Sequence, residues 1–156
     1  MTLVEQLFVR TVRQERFVAM AARLAERIGR DGKRYDRDNT FPHAHYDVLR
    51  SAGYHALTVP ESLGGLGANL TETIAAQEKL AAGDAATALA IGWHLAVIGK
   101  QAEARSWPQD IFERICRETV ERGALINTAA SEKETGSPSR GGRPFTTARR
   151  DRSGWV

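Results

Sequence analysis

Asn127-Thr-Ala-Ala-Ser-Glu-Lys-Glu-Thr-Gly-Ser-Pro-Ser-Arg140 is where the hydrophobic pattern of this chain changes character. Upstream, apolar residues recur at helical spacing. Here hydroxyls, glycine and charge crowd into a short loop behind Ala124-Leu125-Ile126, an apolar triplet that reads as strand. Small hydroxyl donors and a glycine that permits close approach suit such a loop to a polar ligand. The chain then reaches Ser153-Gly154-Trp155-Val156 as a further strand pattern begins, so a fragment of a longer protein is expected.

Working back from the loop, the pattern is helical nearly throughout. Residues 3 to about 30 form one amphipathic stretch, with Val4, Leu7, Phe8, Val12, Val18, Ala21, Ala25 and Ile28 on the apolar stripe. Gly29 and Gly32 close it, and Asp31 to Thr40 reads as a polar connector. A second helix is expected from Pro42 to Ala52, stopped by Gly53. Pro60-Glu61-Ser62-Leu63-Gly64-Gly65-Leu66-Gly67 makes a tight turn that lacks dinucleotide-binding spacing and context. Asn69 and Glu72 form a capping box for a helix to about Ala82; Gly83 ends it and Asp84 caps the next. That next helix, to about Arg105, carries small residues on most faces and is placed centrally in a bundle. A last helix runs from Trp107-Pro108 to about Arg122. The expected fold is mainly α: an up-and-down bundle of about five helices over residues 1–122, then the first strand and loop of a β-domain over 123–156.

Composition excludes several function classes. In 156 residues, 22 basic side chains meet 19 acidic ones, so the net charge of +3 gives little support to nucleic-acid binding. Only the tail from Lys133 is locally basic. The longest apolar run, Ala85 to Gly99, is shorter than the roughly 20 residues a membrane span needs and includes His94. Cys116 is the only cysteine, which forbids an internal disulfide and points to a reducing, cytoplasmic setting. His43 and His45, two apart on a helix, point to nearly opposite sides, and no Cys/His cluster has zinc spacing; no metal site is expected. His94 reads as a hydrogen-bonded core or interface residue. Nucleophile-elbow and Walker motifs are absent, and no catalytic residue is assigned.

Three segments taken in order narrow the reading: Leu57-Thr-Val-Pro-Glu-Ser-Leu-Gly-Gly-Leu-Gly67, Gln77-Glu-Lys-Leu-Ala-Ala-Gly-Asp84 and Ala129-Ala-Ser-Glu-Lys-Glu-Thr-Gly-Ser137. Together they resemble the N-terminal part of an acyl-CoA dehydrogenase, over roughly residues 41–156. The resemblance implies an N-terminal helical domain, a middle β-domain and a C-terminal four-helix domain, with FAD between the last two and a homo-oligomer in the full-length form. It implies that the loop faces the flavin through Thr128, Ala130, Ser131, Glu132, Gly136 and Ser137, with Ser137 also near an acyl-CoA substrate. Ser131 stands for the family's threonine and keeps its hydroxyl. Lys133 and Glu134 replace Pro-Gly, and Pro138 stands where aspartate is usual. The catalytic carboxylate of the family belongs to the C-terminal domain, and no glutamate here matches it. A flavin-dependent monooxygenase of the same architecture and a non-enzymatic helical module with a basic tail remain as alternatives.

Overall fold

A computed structural model describes residues 11–128, 131–138, 141, 143–152 and 154. The chain divides at Ile126–Asn127 into two units, of which the first is helical. Its described elements are α1 (Val12–Ile28), α2 (Gly32–Asp38), α3 (His43–Ser51), α4 (Leu70–Ala81), α5 (Ala85–Ala104) and α6 (Gln109–Arg122), with short 3-10 turns at Tyr54–Ala56 and Glu61–Leu63. The mainly α expectation holds.

Each start has a local cause. Thr11 is extended and caps α1 by a full capping box with Gln14, so this helix starts at Val12; the part of the expected helix before residue 11 lies outside the described residues. The box expected at Asn69 forms: Asn69 Oδ1 accepts from the Glu72 N–H, and Glu72 Oε2 accepts from the Asn69 N–H. Asp84 Oδ1 caps α5 through the Thr87 N–H at 2.7 Å. The polar connector expected over 31–40 is instead α2. At seven residues it is too short to show an apolar stripe, and Asn39 ends it in the left-handed region.

α1 packs chiefly on α4, and α4 on α5. Phe17, Leu24 and Ile28 meet Leu49, Tyr54, Leu57, Leu80, Ile91 and Leu95 in the main core. A second cluster joins Val59 and Ile98 to Phe112 and Cys116 of α6. Burial pushes the Cys116 thiol up to about 11, in keeping with its reading as an apolar core residue. A polar relay crosses the main core: Tyr54 Oη donates to Gln77 Oε1, and Gln77 Nε2 donates to the Ala88 carbonyl, both at 2.8 Å.

The segment after the 54–56 turn doubles back on itself. The amides of Leu66, Gly67 and Ala68 donate to the carbonyls of Ala56, Val59 and Leu57. Gly65 is required there, because a Cβ would lie 2.2 Å from the Val59 carbonyl oxygen. Arg13 of α1 clasps the returning strand of chain. Its guanidinium donates to the Leu66 and Gly67 carbonyls and pairs with Glu61 and with the buried carboxylate of Glu72.

Two expectations are corrected by the packing. α5 is not central: Thr87, Ile91, His94, Leu95 and Ile98 point inward, whereas Leu89 and Trp93 are 68% and 58% exposed. The small residues do admit neighbours, Gln77 beside Gly92 and Thr58 beside Gly99, but Leu89 and Trp93 stay exposed. The strand expected at Ala124–Ile126 is also unformed among the described residues. The Ile126 amide is taken by the His94 ring, and a strand exists only through a partner strand's hydrogen bonds.

Gly83, between α4 and α5, lies against the backbone of α1, where an added Cβ would sit 2.2 Å from the Ala25 carbonyl oxygen. Gly83→Ala is therefore expected to destabilise the helical unit by about 1–3 kcal/mol through overpacking. Gly136→Ala, at an open but positive-φ position, should leave that unit's melting transition unchanged; differential scanning calorimetry of both variants checks the contrast.

Candidate functional site

The second unit, taken by itself, is organised around one carboxylate. Glu132 and Gly136 exchange both backbone hydrogen bonds, at 3.1 and 2.8 Å, closing Lys133-Glu134-Thr135 into a turn. Gly136 takes φ +70°, where a Cβ is disfavoured. The Glu132 carboxylate accepts from the Thr135 hydroxyl at 3.0 Å, from the Phe145 amide at 2.7 Å, and from the amide and hydroxyl of Thr146. These donors, led by the Thr146 hydroxyl, hold its pKa down to about 2.

The expected ligand residues therefore differ in availability. Ser131 is exposed, and its hydroxyl makes no bond among the described residues. Thr128 is exposed too; its amide donates to Asn127 Oδ1. Glu132 spends its carboxylate on its own loop and its amide and carbonyl on Gly136. Gly136 is exposed, Ser137 is partly buried and engaged, and Ala130 lies outside the described residues.

In the helical unit, the point where the chain leaves α6 is held at both ends. Gly123 ends α6 in the left-handed region, with its amide bonded to Thr119 and the Ala124 amide to Glu118. Arg50 Nε donates to the Gly123 carbonyl at 2.9 Å. Three residues on, the Ile126 amide donates to His94 Nδ1 at 3.0 Å, while His94 Nε2 lies 2.8 Å from the His55 carbonyl and donates to it. Both bonds require the neutral Nε2–H tautomer. Burial, with the neighbouring His55, lowers the His94 pKa and favours that form. The reading of His94 as a hydrogen-bonded core residue holds; its grip on residue 126 left no trace in the sequence.

His45 is also a packing residue. It is buried, with Nε2 2.9 Å from Asp31 Oδ1 and Nδ1 2.9 Å from the Thr87 hydroxyl, whereas His43 is exposed. Among the described residues no three His, Cys, Asp or Glu side chains converge as metal ligands, and no helix is long and apolar enough to cross a membrane.

A groove of about 1110 Å³ runs between α4 and α5. Leu70, Ile74 and Leu89 form its sides, and Ala88, Gly92 and Ala96 its floor, with Glu78, Lys100 and Glu103 at the edges. Sequence reasoning missed it because it depends on the outer face of α5 being uncovered.

Comparison with known proteins decides the family. Residues 11–106 match the family model for the acyl-CoA dehydrogenase N-terminal domain. The chain belongs to the acyl-CoA dehydrogenase family. It is 44% identical over 150 residues to YdbM of Bacillus subtilis (strain 168), assigned to the acyl-CoA dehydrogenases; the match covers 96% of this chain and 39% of YdbM. It is 26% identical over 107 residues to the oxygenase component of an FADH2-dependent resorcinol hydroxylase of Rhizobium sp., covering 65% of this chain and 26% of that protein. Among solved structures, KijD3 in complex with FMN and a dTDP-amino-keto sugar matches 74% of this chain and 30% of its own, with a TM-score of 0.65 and 34% identity. The chain thus spans less than half the length of these acyl-CoA dehydrogenase-fold relatives.

The Glu132 carboxylate sets a pH dependence for the second unit. A depressed carboxyl pKa stabilises the fold above the ordinary value of 4.5 and loses that contribution as pH falls toward about 2. The Phe145 and Thr146 amide resonances should stay at their bonded positions at pH 5 and move with an inflection near 2. An inflection near 4.5 in the NMR titration would mean that the carboxylate is not caged.

Proposed function

We propose that this chain forms the N-terminal helical domain (residues 1–122) and the start of the middle β-domain (123–156) of an FAD-dependent enzyme that dehydrogenates an acyl-CoA thioester. The observation carrying this reading is the match to YdbM across nearly the whole chain, joined to a loop whose Ser131 hydroxyl is exposed and uncommitted. A hydroxyl of that kind fits the hydrogen-bonding edge of a flavin ring, and Thr128 offers a second nearby in sequence. The Glu132 carboxylate does not fit such a contact, being saturated by its own loop. Bound flavin supplies the hydride acceptor for the β-carbon, while the α-proton goes to a carboxylate base that this chain does not contribute. The residues here bind and orient. The groove between α4 and α5, apolar on floor and sides, offers a surface for the acyl chain.

A second reading has its own support. KijD3 was solved with FMN, and the resorcinol hydroxylase is named for reduced FAD, so a monooxygenase using reduced flavin and oxygen is the competing chemistry. In the natural full-length protein, anaerobic acyl-CoA should bleach the bound flavin if the dehydrogenase reading is correct. Failure to bleach, with oxygen-dependent product from supplied reduced flavin, would transfer the assignment to the monooxygenases.

Two substitutions test the residues named. Ser131→Ala should weaken FAD binding about fivefold, the loss of one hydrogen bond of roughly 1 kcal/mol, read by fluorescence titration. Ala96→Phe should fill the groove floor and raise KM for long-chain acyl-CoA at least tenfold while sparing the shortest substrates. Equal effects on all chain lengths would remove the groove from the substrate path.

A further inference from the structure

We propose that His94 is a positioning residue that fixes where the loop beginning at Asn127 starts, by holding the amide of the residue before it. The importance of that loop rests on the flavin-binding reading above; the hold itself does not. The His94 ring is 2% exposed and joins three parts of the helical unit through two backbone bonds: α5, which carries it; the turn at Tyr54–Ala56, through the His55 carbonyl; and Ile126. Ile126 needs an external anchor. Beyond Gly123 the chain has left α6, it joins no strand among the described residues, and its neighbour Leu125 is exposed. Arg50 holds Gly123 and the Ala124 amide bonds to Glu118, so the course of the chain past Ala124 is open until the His94 ring takes Ile126.

A buried apolar residue at position 94 would keep the site dry, but it would leave the Ile126 amide and the His55 carbonyl without their ring partners. A histidine is therefore used where a leucine would serve packing alone. The ring acts as a rigid spacer with an acceptor on one side and a donor on the other. Only its neutral Nε2–H form does both, since a proton on Nδ1 would face the Ile126 N–H. The charged and titratable groups acting on this cluster are His55, whose buried Nδ1 has no hydrogen-bond partner, and the Arg50 guanidinium, which acts on His55. Burial, and with it His55, opposes a second proton on His94.

The test compares the whole chain with its His94→Leu and His94→Gln variants. Glutamine carries one donor and one acceptor on a neutral side chain and can replace both bonds. Hydrogen–deuterium exchange of the peptide spanning 123–128 should accelerate at least tenfold in H94L and return to within about threefold in H94Q, with α1 and α4 unchanged. In the full-length protein FAD affinity should fall about tenfold in H94L and recover in H94Q. If H94L fails to fold, two other readouts decide. Imidazole nitrogen NMR of the unaltered chain should show His94 as the Nε2–H tautomer, and Ile126→Pro, which deletes the amide donor, should raise the pKa of His94. An Nδ1–H tautomer, or unaltered exchange at 123–128 in H94L, overturns the proposal. Exchange that responds as expected in a protein that never binds flavin keeps the positioning role and sinks the flavin reading alone.

Discussion

The Arg13 guanidinium is the contact on which the arrangement of the helical unit turns. It reaches from α1 to the carbonyls of Leu66 and Gly67, to Glu61, and to a Glu72 side chain that is only 4% exposed. Glu72 also accepts from the Asn69 amide, so one buried carboxylate both caps α4 and anchors α1 to it. A carboxylate that deep is tolerated because its partners are charged or hydrogen-bonded. Arg13 itself is half exposed, and solvent screens its share of the attraction. Its value lies in geometry: without it, the turn at 60–68 keeps its own backbone bonds but loses its tie to α1.

Much of this was legible in the residues because the signals are local. Asn69 with Glu72, Gly83 with Asp84, and Gly123 after Arg122 each mark a helix end by chemistry confined to a few neighbours. What stayed hidden depends on distant partners. The outer face of α5 looks like a core face by composition, and only the position of the other helices shows it uncovered. α2 is held by Tyr35 against His45 and by Asp31 bonded to His45, contacts spanning 10 and 14 positions that no periodicity encodes. Leu125 and Ile126 are strand-forming residues, yet the Ala124 amide goes to the Glu118 carbonyl and the Ile126 amide to the His94 ring.

The candidate site divides in the same way. The three ordered motifs led to the family, and the exposed Ser131 suits the role they imply for it. They could not reveal that Glu132, a motif residue, turns its carboxylate inward on Thr135, Phe145 and Thr146. A motif identifies which side chains recur at a site; the hydrogen-bond inventory decides which of them face outward. The same division separates family from reaction, since an acyl-CoA dehydrogenase and the oxygenase component of a hydroxylase both stand among the relatives.

The Glu132 cage also bears on when order is acquired. Six bonds to one residue, three of them reaching thirteen or fourteen positions along the chain, tie Phe145 and Thr146 to the turn at 132–136 before any ligand arrives. The conformational entropy of those tied residues is lost on folding, at a cost of about 1–2 kcal/mol for each backbone unit fixed, and is not charged again to binding. A loop composed of serine, threonine, glycine and lysine has every compositional reason to be floppy. The Glu132 carboxylate, bonded to Thr135, Phe145 and Thr146, makes it a preshaped surface instead.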